Sequence, residues 1–255
     1  MRGPPSLGRM TRGTHGVVLA VFLVALAGCT SVVAGHGRAA PVAVGALCPS
    51  VGDDPRALVG CLSEDLRATW SGWAGKEVRS VVVVDPVPTA VHRDCAYFLA
   101  FGTAFYCPSD GRTYLTGVSV RRDRREFGDR LPYALAFTLA HEAGHRVQQV
   151  LRVPGLDASG DAASRRVEQQ ADCLAGVWAH DAAVRARIEP AAFRDVGRRE
   201  LTLISRLKPP AGGPLRGYDE VRTHGTVSQR LAAFDRGYAG GPPGCGVGLP
   251  AQRPR

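Results

Sequence analysis

Apolar side chains recur at helical spacing along five segments of the chain. In the first segment, Leu58, Leu62, Leu66 and Trp70 follow at four-residue intervals, which places them on one face of a helix that begins near Pro55. We interpret this face as core packing. The same pattern, with proline and glycine breaks between segments, predicts four further helices at about 131–152, 161–180, 190–207 and 226–240.

Two of these predicted helices begin with capping signals. Asp161 is placed to cap the helix at 161–180, because a short acidic side chain can accept the free N–H groups of a first turn. Thr226 and Gln229 form the Thr-x-x-Gln pattern that is typical of a capping box. Both signals support the predicted helix starts.

Strand-like segments lie between the first and second predicted helices. Val81–Val84 is a short β-branched run that is predicted to be a buried strand. Tyr97–Tyr106 and Thr113–Val120 flank the turn signal Pro108–Gly111, which predicts a β-hairpin. The charged run Arg121–Arg130 is interpreted as a solvated loop. Strands and helices together predict an α+β fold.

The N-terminus has the features of an export signal. Arg2, Arg9 and Arg12 precede an apolar run, Val17–Ala27, that is too short for a membrane-spanning helix of about 20 residues. The run ends in Leu-Ala-Gly-Cys, which resembles the lipobox of bacterial lipoproteins and predicts acylation of Cys29. An ordinary signal peptide cleaved nearby is the alternative.

This leader divides the chain into predicted regions. Residues 1–28 are predicted to be a lipoprotein signal peptide, 29–52 a flexible tether, 53–247 the folded domain and 248–255 a disordered tail. The predicted location is the extracytoplasmic face of the cell membrane, with the N-terminal lipid as the membrane partner.

Cysteine usage agrees with an exported protein. Of the seven cysteines, six remain if Cys29 carries lipid, and an even number in an exported chain indicates disulfides. Six cysteines allow 15 pairings. Local spacing favours Cys48–Cys61 and Cys95–Cys107, which leaves Cys173–Cys245. A cysteine zinc site is the weaker alternative because the chain has no C-x-x-C pair.

The charge balance changes this picture little. The formal net charge of +9 comes almost entirely from scattered arginines, and no finger spacing or aromatic RNA-binding stretch accompanies them. We therefore predict no nucleic-acid partner. A basic surface that faces an anionic membrane or envelope polymer explains the charge more simply.

The pattern His141-Glu142-Ala143-Gly144-His145 is the strongest chemical signal. On a helix, residues i and i+4 lie one turn apart on the same face, so both imidazoles can reach one zinc ion. Glu142 lies beside them without occupying a ligand position, which suits a base acting on water at the metal. Gly144 is unfavourable inside a helix and indicates that another group approaches the backbone closely there.

A catalytic zinc site needs a third protein ligand. The positions that would complete H-E-x-x-H-x-x-G-x-x-H hold Gln148 and Leu151, which excludes that class. Glu168 is predicted to be the third ligand, from the following helix, and it completes a His₂Glu set. Asp172, four residues later on the same face, is predicted to accept the second ring N–H of a ligand histidine. A pair of surface acids is the alternative.

Four ordered blocks, between roughly residues 90 and 245, share their pattern with a known family. They are the H-E-x-x-H helix, the segment Glu168–Ala179, the hairpin residues 104–110 with 114–115, and His224-Gly225-Thr226 with Gln229, Arg230 and Gly237. They resemble the bacterial neutral zinc metallopeptidases, which are glutamate-ligand (gluzincin-type) zincins. The resemblance implies a small β-hairpin or sheet packed on an active-site helix, a largely helical C-terminal part and one Zn²⁺ per chain.

The chain departs from the family pattern at two positions. Ala143 and Arg146 stand where the family usually has an aromatic residue and a second histidine. Neither is a predicted ligand, so the departures bear on substrate contacts rather than on zinc binding.

These residues predict a zinc-dependent endopeptidase with a peptide or protein substrate. Glu142 would be the general base, and His224 or Tyr218 would stabilise the oxyanion. The strand near Thr113–Val120 would hold an extended peptide by edge pairing. The alternative functions are a catalytically inactive zinc-binding scaffold or interaction module at the cell envelope, and an arginine-rich binder of anionic polymers.

Overall fold

The computed structural model describes residues 47–49, 51, 54–71, 91–208 and 218–247, and the backbone of 82–84. The predicted leader, the acylation site Cys29, most of the predicted tether and the C-terminal tail lie outside the described residues. In the part of the chain that is described, no helix combines the length and the apolar composition needed to cross a membrane.

Helices make up most of the described structure. The helices are α1 (Pro55–Trp70), α2 (Gly117–Phe127), α3 (Leu131–Val150), α4 (Asp161–Val184), α5 (Pro190–Ile204), α6 (Glu220–His224) and α7 (Val227–Gly244), and the strands are β1 (Val82–Val84), β2 (Ala104–Cys107) and β3 (Arg112–Thr116). Short 3-10 helices span Arg93–Phe101 and Gly128–Arg130. The α+β prediction is confirmed, and the five predicted long helices correspond to α1, α3, α4, α5 and α7.

The three strands form one sheet in the order β1-β3-β2. β1 runs parallel to β3, and β2 runs antiparallel to it through the predicted hairpin. The predicted strand from Tyr97 is wrong over its first part, where the chain forms a 3-10 helix up to Phe101. The strand from Thr113 is also too long, because the Thr116 side chain caps α2 through the Ser119 N–H.

This strand order corrects the predicted peptide-binding edge. β3 has hydrogen-bonded neighbours on both sides, so it has no free edge for a substrate. β2 is an edge strand of the sheet, and its residues Ala104, Phe105 and Tyr106 line the cleft described below. A substrate that pairs with the sheet from this cleft would therefore pair with β2.

The charged run Arg121–Arg130 is not a loop. It is the second half of α2 and the following 3-10 turn. Asp123 and Phe127 are buried, and the buried Glu200 of α5 pairs with Arg122 at 2.9 Å. The run therefore carries a buried face with its own hydrogen-bond partners, which its composition alone did not indicate.

Helix α3 lies at the centre of the fold, between the sheet, α4 and α5. The prediction for Gly144 is confirmed, because a Cβ at this position would lie 2.8 Å from the backbone oxygen of Ala171 on α4. Gly237 of α7 has the same function, since its Cβ would lie 1.8 Å from the oxygen of Cys173. These two glycines let α3, α4 and α7 pack with their backbones nearly touching.

The start of α4 differs from the prediction, whereas the start of α7 agrees with it. Gly160, with a φ of 95°, precedes α4, so Asp161 is its first residue and not its cap. The capping box of Thr226 and Gln229 is present at the start of α7. The predicted break occurs at Gly241, with a φ of 61°, after which a last helical turn reaches Gly244.

Three disulfides link the described chain: Cys48–Cys61, Cys95–Cys107 and Cys173–Cys245. They are the three pairs that the spacing favoured. The second joins the 3-10 helix at 93–101 to the edge strand β2, and the third joins α4 to the end of α7. The disulfides therefore fix two of the walls around the cleft.

Candidate metal centre and active-site cleft

Two neighbouring helices bring the three predicted metal ligands together. His141 and His145 lie one turn apart on α3, and Glu168 faces them from the second turn of α4. The Glu168 Oε2 atom lies 3.2 Å from His141 Nε2 and 3.1 Å from His145 Nε2. One candidate ligand atom from each residue lies within 4.8 Å of the others, which is the grouping that a single cation requires.

The outer nitrogens of both rings are occupied by other partners. His141 Nδ1 lies 2.8 Å from Asp172 Oδ1, and His145 Nδ1 lies 2.9 Å from Gln148 Oε1. Both partners are acceptors, so each Nδ1 carries a proton and each Nε2 is the ring atom left for a metal at the shared point. Two neutral imidazoles and one carboxylate are a donor set that suits Zn²⁺, and the residues present therefore fit the metal.

The charges around the centre favour a cation. Burial alone would raise the pKa of Asp172, but the Arg230 guanidinium and the His141 ring outweigh it and lower the pKa to about 2. Burial would likewise lower the pKa of His141, but the Asp172 and Glu168 carboxylates raise it to about 10. A cation that enters the site therefore meets two ionised carboxylates and displaces a proton from His141.

Arg230 is a part of the site to which the sequence assigned no role. Its Nε and Nη2 atoms donate to the two oxygens of Asp172 at 2.8 and 2.9 Å, and its Nη1 donates to Glu220 at 2.9 Å. The Gln229-Arg230 pair was visible in the family resemblance. Neither the pattern nor the spacing showed that this guanidinium reaches Asp172 from the first turn of α7.

Glu142 follows the first ligand on α3 and lines the cleft. It is buried, with 8% of its surface exposed. Glu142 is rotated about 100° from His141 around the helix. Its side chain therefore leaves the helix in a different direction from those of the two histidines. This position is compatible with contact to a bound substrate or water.

His224 lies beside the same centre, and Tyr218 lies next to His224. His224 Nε2 is 3.1 Å from Glu168 Oε2, and its Nδ1 is 3.3 Å from the Tyr218 hydroxyl. Tyr218 also donates a short hydrogen bond to Glu220. Burial and the Glu220 charge raise the pKa of Tyr218, so the hydroxyl keeps its proton. His224 Nε2 thus lies at the candidate centre, whereas the Tyr218 hydroxyl lies next to His224 and gives its one proton to Glu220.

A cleft with a volume of about 490 Å³ passes across these groups. Its polar lining includes the three candidate ligands, Glu142 and His224. Apolar side chains make up much of the remaining wall: Phe98, Phe101, Phe105, Phe137, Leu201 and Ile204. A cleft of this kind can hold an extended segment whose side chains are partly apolar.

The two departures from the family pattern have different surroundings. Ala143 is buried in the core. Arg146 donates to Gln149 Oε1 at 2.8 Å and to the Tyr106 hydroxyl at 3.2 Å. Since Tyr106 belongs to the edge strand β2, Arg146 connects the last turns of α3 to a wall of the cleft.

The chain is similar in sequence to bacterial proteins. The chain is 32% identical over 150 residues to the uncharacterized protein YpfJ of Escherichia coli strain K12, covering 54% of this chain and 51% of the relative. It is 34% identical over 155 residues to the uncharacterized protein Mb2605 of Mycobacterium bovis, covering 54% and 52%. The chain thus matches about half the length of these relatives. No solved structure matches it.

A family-wide sequence profile covers more than half of the chain. It matches residues 87–246, which include the hairpin, both histidines of α3, Glu168 and α7, and the family is described as "Putative neutral zinc metallopeptidase". The match and the geometry of the His141, His145 and Glu168 centre concern the same part of the molecule. The chain belongs to this zinc metallopeptidase family.

Proposed function

We propose that the protein is a zinc-dependent endopeptidase that acts outside the cytoplasmic membrane. The observation that carries the proposal is the convergence of His141, His145 and Glu168 in a cleft that Glu142 also lines. Catalytic zinc sites use three protein ligands and leave a further position for water or substrate. The family membership supports the same reaction class.

Each residue in the centre has a proposed function. His141, His145 and Glu168 would hold the metal, with Asp172 and Gln148 fixing the two rings. Bound zinc supplies a Lewis acid that polarises the scissile carbonyl and makes a water more acidic. Glu142 would accept the proton of the attacking water and pass it to the leaving amine.

The far side of the cleft would stabilise the negative charge that develops on the carbonyl oxygen. His224 would donate a hydrogen bond there through Nε2, and Tyr218 would do so only after its hydroxyl turns away from Glu220. The substrate backbone would pair with the edge strand β2, and its side chains would contact the aromatic wall formed by Phe98 and Phe101.

The cellular location is a separate part of the proposal. The basic n-region, the apolar run and the sequence that ends at Cys29 support export and lipid anchoring at the outer face of the membrane. The three disulfides are compatible with an oxidising compartment. Metabolic labelling with a fatty-acid analogue tests the anchor, and we expect the full chain to be labelled and Cys29→Ser to be unlabelled.

One observation favours the alternative of an inactive zinc scaffold. His224 Nε2 lies 3.1 Å from Glu168, so a small movement would let it close the metal site as a fourth ligand. However, among the described residues, the group of ligand atoms within 4.8 Å of one another contains only His141, His145 and Glu168. The intact Glu142 also favours the enzyme.

A mixed peptide library distinguishes the two functions. The detergent-solubilised full chain would be incubated with the library after zinc loading, after chelation and after zinc is restored. The endopeptidase predicts internal cleavage that is lost with the chelator and regained with zinc. Stoichiometric zinc without any cleavage would contradict the endopeptidase and support the scaffold.

A further inference from the structure

We propose that Arg230 is a positioning residue that couples the metal ligands to the His224 and Tyr218 side of the cleft. The central claim is that Arg230 raises the affinity of the site for zinc. The further expectation, that Arg230 also affects kcat, rests on the proposed function. It is carried by one buried guanidinium that contacts the carboxylates behind both halves of the site.

The first half of the coupling runs through Asp172. Arg230 holds both carboxylate oxygens of Asp172 in a bidentate pair, at 2.8 and 2.9 Å. One of these oxygens, Oδ1, also accepts from His141 Nδ1 at 2.8 Å. Asp172 can rotate neither away from His141 nor toward it without breaking the pair with Arg230, so the guanidinium fixes the direction of the His141 ring.

The second half runs through Glu220. Arg230 Nη1 donates to Glu220 Oε1 at 2.9 Å. The other oxygen of Glu220 accepts from the Tyr218 hydroxyl and lies 3.5 Å from His224 Nδ1. The same guanidinium therefore sets where Glu220 presents its acceptor to the two proposed oxyanion donors.

The burial of this network explains why it requires an arginine. The side chains of Arg230, Asp172 and Glu220 are 5%, 1% and 13% exposed. Two such carboxylates need a shared counter-charge, because an unpaired buried charge is strongly unfavourable. Only a planar fork with several fixed N–H groups can hold one carboxylate bidentately and a second at the same time, whereas lysine offers a single point charge.

The backbone around Arg230 is held as firmly as its side chain. Arg230 lies in the first turn of α7, directly after the Thr226–Gln229 capping box. α7 packs on α4 with Gly237 against the Cys173 backbone, and the Cys173–Cys245 disulfide joins the two helices. The distance between Arg230 and Asp172 is thus set by a rigid helix pair, which makes the guanidinium a suitable coupling group.

Zinc affinity, measured by chelator competition, tests this coupling in a double-mutant cycle. The variants are Arg230→Met, Glu220→Gln and the double variant, with Arg230→Lys as the conservative replacement. The matched control is Arg194→Met, because Arg194 forms a comparable bidentate pair with Asp235 of α7, at 2.7 and 2.6 Å. Circular dichroism and thermal unfolding would establish that each variant is folded.

We expect Arg230→Met to weaken zinc binding by about 10–100-fold, the usual range for groups that orient a ligand. Arg230→Lys should recover part of this loss, and Arg194→Met should bind zinc like the wild type. Glu220→Gln should weaken zinc binding at least about threefold when Arg230 is present, and clearly less in the Arg230→Met background, because coupled neighbours give non-additive effects.

Zinc affinity within twofold of wild type in folded Arg230→Met would overturn the proposal, as would an equal effect of Glu220→Gln in both backgrounds. If Arg230→Met does not fold, Glu220→Gln alone decides, and an unchanged zinc affinity refutes the coupling.

If the wild-type protein cleaves peptides, the kcat of Arg230→Met should be lower than that of the wild type even at saturating zinc. Zinc binding that shows the coupling without any cleavage would instead refute the proposed function and leave the coupling intact.

Discussion

His141 Nδ1 on α3 lies 2.8 Å from Asp172 Oδ1 on α4. Asp172 lies one turn after Glu168 on that helix. A single helix, α4, therefore supplies both a candidate metal ligand and the carboxylate that directs a second ligand. Because residues i and i+4 share a helix face, the two acids move together whenever α4 shifts against α3. The spacing of these two helices is consequently a determinant of the metal centre.

Replacement of Gly144 by alanine tests this spacing. The new Cβ would lie 2.8 Å from the Ala171 oxygen, so α3 and α4 must separate. We expect a loss of about 1–3 kcal/mol in the free energy of unfolding, as in other overpacked cores, although alanine favours helices. Zinc affinity should fall as well. Chemical denaturation and chelator competition measure the two effects.

Gly60→Ala is the matched control for that variant. Gly60 lies in the interior of α1, and among the described residues no atom of a neighbouring element would lie within 4 Å of a Cβ added there. At this position only the higher helix propensity of alanine matters. We therefore expect the free energy of unfolding to rise by up to about 1 kcal/mol. If Gly144→Ala gained stability as Gly60→Ala does, the backbones of α3 and α4 would be free to separate. That result would contradict the prediction.

The disulfide between Cys173 and Cys245 should contribute strongly to stability. It closes a separation of 72 residues, against 13 for Cys48–Cys61. The chain-entropy estimate is about 4 kcal/mol for the longer loop and about 3 kcal/mol for the shorter one. We expect the double serine variant of Cys173 and Cys245 to unfold at a lower denaturant concentration than the corresponding Cys48 and Cys61 variant. The reverse order would contradict this account.

Glu200 should make the protein less stable as the pH rises above about 5. Burial and the nearby Asp123 raise the pKa of Glu200 from 4.5 to about 8. Between these values the folded protein retains a proton that the unfolded chain has released, so the free energy of unfolding decreases with increasing pH. Glu200→Gln mimics the protonated form and should weaken this dependence between pH 5 and pH 8.5.

Denaturation of wild type and Glu200→Gln at the two pH values measures that difference. Glu64→Gln is a suitable control because the Glu64 side chain is 75% exposed and pairs with the surface residue Arg67. Parallel pH profiles for wild type and Glu200→Gln would show that Glu200 is ionised in the folded protein throughout this range.

Removal of the metal should lower the stability of the folded protein. A ligand present at 100 times its dissociation constant stabilises by about 2.7 kcal/mol. We expect a chelator to lower Tm in the wild type and to have little effect on Glu168→Gln, which lacks one of the three candidate ligands. Differential scanning calorimetry compares the two. An equal shift in both proteins would place the bound metal elsewhere.

The sequence anticipated the grouping of the three candidate ligands because each of its signals is local. His141 and His145, and likewise Glu168 and Asp172, are separated by four residues on a helix, so helical geometry alone brings each pair to one face. The placement of Gly144 against α4 was also deducible, since a glycine inside a helix needs a packing reason. The disulfide pairs followed from spacing and from the number of cysteines.

The errors concern features that depend on distant residues. The run at 121–130 looked solvated because the buried partner of Arg122, Glu200, lies 78 residues away. The position of β3 in the centre of the sheet depends on β1, and no local pattern of β3 distinguishes a central from an edge strand. Arg230 reaches Asp172 across 58 residues, so its contacts became visible only in the folded chain.

The most direct test of the central claim compares wild type with Glu142→Gln for zinc content and peptide cleavage. Glu142 lines the cleft but is not among the candidate ligands, so the substitution should leave the metal in place. The account predicts about one zinc per chain in both proteins and cleavage by the wild type alone, with a loss of at least about 100-fold in kcat/KM. Cleavage by Glu142→Gln at the wild-type rate, or the absence of zinc from both proteins, would contradict it.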